Sequence, residues 1–187
     1  CAGLPRRQEE IRAGVDQALD YARALGCRQL NCLAGLRPAT LDEDTAWQTL
    51  VANVDYAAER LAAEGITLCL EAINSRVDMP GFVLDTSGKV MSVIEELDGS
   101  NIRLQYDLYH MQIMEGDLIR SLEGLLPWIG HIQFADNPGR REPGTGEINF
   151  SNVFAAIDGM GYEGWVGAEY RPSAETGDTL GWFAGRS

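Results

Sequence analysis

The chain has 187 residues, is 45% hydrophobic and 23% charged, and carries a formal net charge of −13. That length and balance suit one soluble globular domain, 1–187, with a sizeable core. They argue against nucleic acid and membranes as partners, because phosphate backbones and anionic lipids need a basic face and a membrane span needs a run of about twenty apolar residues.

Ile11, Val15, Leu19, Ala22 and Leu25 recur at helical spacing ahead of Gly26, which predicts an amphipathic helix ended by a glycine C-cap. A short strand is expected over 28–33. Thr40 and Glu43 have the spacing of a capping box, and Trp47, Leu50, Val51, Val54, Ala58 and Leu61 mark one face of a long helix stopped at Gly65. The apolar run 66–70 has the pattern of a strand buried on both faces, and it ends in Glu71.

The pattern then repeats. A helix is expected over 84–97, capped by Asp85 or Thr86, then a strand over 102–106 ending in Asp107. A short helix over 116–126 closes at Pro127, and the strand 131–135 carries Gln133 between Ile132 and Phe134. A helix over 151–160 and a strand over 165–168 ending in Glu169 follow, with one or two helical turns over 178–183. No hairpin signal breaks the alternation, so the sheet is expected to be parallel, with helices outside it. Five strands preceded by a helix read as part of a larger array.

The connection after Gln133 holds two arginines and two glutamates among glycines and prolines, NPGRREPGTGEIN. Connections in compact domains usually run about four to six residues, and longer ones rooted in a buried strand tend to carry binding groups. This loop is expected to bring Arg140 and Glu142 over a pocket. The cysteines Cys1, Cys27, Cys32 and Cys69 form no CxxC pair, and only two histidines are present. That leaves no Cys/His zinc framework and favours buried free thiols in a reducing cytoplasm. The N-terminus has no signal-like apolar stretch.

Glu71, Asp107, Gln133 and Glu169 lie at or near the ends of successive strands, 36, 26 and 36 positions apart. In a parallel α/β array these ends share one rim, where such folds place their active sites. Three carboxylates converging on a buried rim repel one another unless a cation lies between them. Carboxylates with one amide oxygen suit Mg²⁺ or Mn²⁺ better than zinc. Asn74 follows Glu71 by three residues, His110 follows Asp107 by three, Arg140 lies in the long loop and Arg171 follows Glu169 by two. These are the candidate substrate-binding groups.

At LCLEAIN (68–74), YDLYHMQIMEGDL (106–118), GHIQFADNPGRREPGTGEINF (130–150) and YEGWVGAEYRP (162–172) the sequence resembles the hydroxypyruvate isomerases, within the xylose-isomerase-like barrels. The resemblance implies a partial (β/α)₈ TIM barrel with about five parallel strands, the last five of eight, since a complete barrel takes about 250 residues. It implies Glu71 and Glu169 as the catalytic acid–base pair and Glu71, Asp107, Gln133 and Glu169 as the metal set. The expected substrate is a small anionic 2-oxo acid, hydroxypyruvate, isomerised to tartronate semialdehyde; a homo-oligomer is compatible with this. Gln133, where ketose 3-epimerases carry His, leans toward the isomerase branch. The alternatives are a 2-oxotetronate isomerase, a ketose 3-epimerase, or a barrel fragment that only binds metal or a partner.

Overall fold

The computed structural model of the chain describes residues 4, 7–99 and 101–183. Its centre is a five-stranded parallel sheet in sequential order: β1 (Gln29–Cys32), β2 (Thr67–Glu71), β3 (Ile102–Asp107), β4 (Ile129–Phe134) and β5 (Val166–Ala168). Around it lie α1 (Gln8–Leu25), α2 (Glu43–Ala62), α3 (Ser87–Glu96), α4 (Leu108–Met114), α5 (Leu118–Leu125) and α6 (Phe150–Gly159), with a 3-10 segment over Thr176–Phe183. No described helix is long and apolar enough to cross a membrane.

Side chains alternate across a strand, and here the alternation divides the chemistry. Leu30, Leu68, Leu70, Ile102, Leu104, Tyr106, Ile132 and Phe134 pack into the core shared with the helices. Between them, Gln29, Asn31, Cys69, Glu71, Arg103, Gln105, Asp107, His131 and Gln133 occupy the other face. That face is concave. Gln29 Nε2 on β1 donates to the Gly130 carbonyl on β4 at 3.0 Å, although three strand spacings in a flat sheet would hold them about 14 Å apart. Gly130 is where the β3–β4 register shifts. A Cβ there would come within 2.7 Å of Arg103 Cβ and 3.1 Å of Cys69 Sγ, so only glycine fits. The sheet is a curled half-barrel, and β1 and β5 each pair on one side only among the described residues.

Several local expectations are corrected. The cap of α2 is Asp42, whose Oδ1 accepts from Thr45 N at 2.8 Å, and Thr40 lies outside the helix. Of the two residues expected to cap α3, Thr86 does so, as expected, while Asp85 binds Lys89 and Ser75. The helix α4, which starts directly from the end of β3, had no clear sequence signal because its cap is the strand's own last residue, Asp107. Of the thiols, Cys69 is buried, Cys32 half-buried and Cys27 exposed, all unpaired; Cys1 lies outside the described residues.

Candidate active site

Strands β2 to β5 carry polar residues to one rim, buried at Glu71 and Asp107 and exposed at Glu169. Glu71 closes β2 and is paired in register with Gln105; Asp107 closes β3 opposite Gln133 on β4; Glu169 follows β5, its N–H donating to the Phe134 carbonyl at 2.9 Å. Glu71 is 5% exposed and Asp107 1%. Glu71, Asp107 and His110 each present a ligand-capable atom, all within 4.8 Å of one another.

Burial governs the electrostatics. Loss of solvent, reinforced by the Asp107 charge, raises Glu71 to about 7, although Asn31 Nδ2 donates to its Oε2 at 2.7 Å. Asp107 is raised to about 6, burial outweighing Arg140 and the N–H groups of Tyr109 and His110. One oxygen, Oδ1, caps α4 by accepting from Tyr109 N at 2.8 Å. The other, Oδ2, is buried with no hydrogen-bond partner among the described residues. A buried unpartnered carboxylate oxygen beside a second buried carboxylate fits a cation, because an ion supplies the charge and ligation that the protein withholds. His110 is pushed down to about 4 by burial and by Arg140, so its ring is neutral at physiological pH.

The long loop is built around Asp136, which is fully buried. Its Oδ1 accepts from Asn137 N (2.9 Å) and Ile148 N (3.1 Å), its Oδ2 from Gly144 N and Gly146 N (both 2.8 Å). A Cβ on Gly146 would lie 2.3 Å from the Asn137 carbonyl oxygen, so the loop closes only over glycine. Wound this way, the loop presents Arg140 in the left-handed region, φ 55°. Its guanidinium lies 2.7 Å from Glu169 Oε2 and 5.3 Å from the centre of the Tyr109 ring. Glu142 does not join it: its carboxylate accepts from the Ser173 hydroxyl and, at 3.1 Å, from Ser173 N.

The remaining candidates divide. Gln133 Oε1 accepts from Gln105 Nε2, leaving one lone pair on that oxygen. Asn74 is fully buried, with its amide engaged inside the protein. Arg171 is exposed, and its N–H donates to the Arg140 carbonyl at 2.7 Å. Asn31, Gln105 and Asp136 went unnoticed in the sequence. For the first two a signal existed: polar residues at every second position of β1 and β3.

The raised carboxylates have a consequence for stability. Glu71 and Asp107 bind protons more tightly folded than unfolded, where 4.5 and 3.8 apply. Their stabilising contribution is therefore complete below those unfolded values and is lost as pH rises through about 6 and about 7. In metal-free buffer the thermal midpoint is expected to fall from about pH 5 to about pH 8, and Glu71→Gln should flatten the fall. A midpoint that rises over that range contradicts this electrostatic description.

Known proteins resemble this chain along nearly all of its length. The family model described as the xylose isomerase-like TIM barrel matches residues 1–185. The hydroxypyruvate isomerase of Escherichia coli (strain K12) is 46% identical over 182 residues, covering 97% of this chain and 70% of its own. A 2-oxo-tetronate isomerase of Cupriavidus necator is 41% identical with the same coverage. A crystal structure from Brucella melitensis, described as an AP endonuclease of family 2, superposes with a TM-score of 0.93 at 40% identity, covering 98% of this chain and 70% of that one.

Proposed function

The chain belongs to the xylose isomerase-like TIM-barrel family, and from that premise we propose that it is an isomerase of small 2-oxo-3-hydroxy acids, interconverting hydroxypyruvate and tartronate semialdehyde. The observation that carries the reading is Glu71, a buried carboxyl held at about 7 on a rim shared with the Arg140–Glu169 pair. Without a bound ion a group with that pKa has both protonation forms populated in neutral solution, which suits a residue that takes and returns a proton, and a cation bound to it would lower that value.

One of Glu71 and Glu169 removes the C3 proton of hydroxypyruvate. The C–H electron pair becomes the C2–C3 double bond, and the C2 carbonyl pair moves onto its oxygen. The other glutamate delivers a proton to C2 as the C3–O bond becomes the carbonyl. The hydroxyl proton passes from the C3 oxygen to the C2 oxygen, beside which His110 is a hydrogen-bonding group. Arg140 holds the substrate carboxylate: with Nη2 spent on Glu169, its other N–H groups remain to grip an anion. Arg171 is the second candidate for that anion. Asn74 is assigned to the substrate-binding side of the site, at one remove.

Glu71, Asp107, Gln133 and Glu169 would hold Mg²⁺ or Mn²⁺, the ions suited to oxygen donors. When bound, such an ion supplies positive charge next to the developing enediolate. The unpaired thiols suit a reducing cytoplasm, and the charge of −13 speaks against nucleic acid as substrate.

A second reading, a four-carbon 2-oxo acid as substrate, is favoured by the 41% identity to a 2-oxo-tetronate isomerase. Turnover of both acids with Mn²⁺ present distinguishes the two. The expected result is a higher kcat/KM for hydroxypyruvate. A preference for the four-carbon acid selects the second reading, and turnover of neither rejects both.

A further inference from the structure

Asn74 has no exposed surface, yet every polar atom of its amide is used. Its Oδ1 accepts from the backbone N–H groups of Val77 (3.0 Å) and Asp78 (2.9 Å). Two backbone donors cannot be reversed, so they fix which end of the amide is oxygen. The nitrogen end donates to Asp78 Oδ2 at 2.8 Å and meets His110 Nδ1 at 2.7 Å. The Asn74 backbone N–H also points at Nδ1, at 3.4 Å.

Nδ1 of His110 is thus faced by two donors of one residue and serves as an acceptor. A neutral imidazole has one proton, and with Nδ1 occupied as a lone pair that proton belongs on Nε2. The competing arrangement, in which the Asp78 carboxylate draws the proton to Nδ1, has the poorer geometry: Asp78 Oδ2 is 3.9 Å from Nδ1 and is itself bound by the Asn74 amide. Nε2 faces the unpartnered Asp107 Oδ2 at 3.8 Å. That distance is too long for a good hydrogen bond and leaves the N–H available to an oxygen entering the site.

We propose that Asn74 is a positioning residue that locks His110 in its Nε2–H tautomer, so that His110 offers the site a hydrogen-bond donor and not a lone pair for metal. This deepens the reading of the site as an isomerase, on which it rests for its consequence in turnover. The direct ligands of any cation are then the oxygen groups around His110, with the imidazole N–H left for the substrate oxygen. An amide pinned by the backbone is a stiffer device than a carboxylate partner, because it cannot take the proton itself.

The tautomer can be read without turnover. In uniformly ¹⁵N-labelled, metal-free protein, long-range ¹H–¹⁵N correlation distinguishes the protonated from the unprotonated ring nitrogen, and the chain has only two histidines. His131→Gln leaves His110 as the sole signal. The expected pattern is a protonated Nε2 and an unprotonated Nδ1. In Asn74→Asp, which keeps acceptors for Val77 and Asp78 but removes the amide donors, the proton is expected to move to Nδ1, with a loss in kcat larger than any change in KM. An Nδ1–H signal in the unsubstituted protein overturns the proposal. So does an Nε2–H pattern that survives both Asn74→Asp and Asn74→Ala. Absence of turnover in every form, with the tautomer as described, would count against the isomerase reading and leave the lock standing.

Discussion

Glu71→Gln and Glu169→Gln are each expected to lower turnover of hydroxypyruvate roughly 1,000-fold, the middle of the range for losing a positioned acid–base group. That corresponds to about 4 kcal/mol of barrier. Both substitutions keep the side-chain shape, and because both residues would also hold the cation, the rates are compared at saturating Mn²⁺, where loss of the acid–base group remains. Glutamine at 71 can still accept from the Asn31 amide, which donates to Glu71 at 2.7 Å, and it removes a buried group whose ionisation is costly. The Glu71→Gln protein should therefore melt no lower than the parent at pH 8 or so. Glutamine at 169 keeps an acceptor for Arg140 but not the charge that pairs with it. Steady-state rates together with thermal melts check both points. Turnover persisting near the parent rate in both variants removes the two-glutamate mechanism.

Asp107→Asn is expected to weaken Mn²⁺ binding by more than about 100-fold, since even outer partners of metal ligands are worth 10–100-fold. Asparagine caps helices about as well as aspartate, so α4 should still start where Tyr109 N now meets Asp107 Oδ1. What disappears is the charge and the unpartnered Oδ2. His110→Asn, by contrast, should leave the affinity within a few-fold, because a nitrogen that bears a proton is not a ligand. Calorimetric titration of the two variants separates these outcomes. Equal losses would make His110 a ligand alongside Glu71 and Asp107, which their mutual approach within 4.8 Å geometrically permits.

The parallel half-barrel was legible because its evidence is local and periodic: apolar runs, glycine stops and polar residues at strand ends. The placement of Glu71, Asp107 and Glu169 at strand ends could be read for the same reason. Gln105 and Asn31 carried a two-residue alternation, but strands of six and four residues are too short for it to stand out. Asp136 carried none. Its four N–H partners run from Asn137 to Ile148, and only the closed loop shows that one carboxylate gathers them. Glu142 misled because a charged loop residue can turn either way, and here Ser173 takes it from the rim. The tautomer of His110 depends on an amide fixed by backbone groups elsewhere, a relation that spacing does not encode.

Proton transfer between two separate glutamates has a signature that can be measured directly. With hydroxypyruvate and Mn²⁺ in deuterated water, the tartronate semialdehyde formed at early times is expected to carry deuterium at C2, because the proton taken by one carboxylate is not the one the other returns. Product that keeps the substrate's own hydrogen at C2 would mean direct transfer from C3, and would contradict the two-glutamate account.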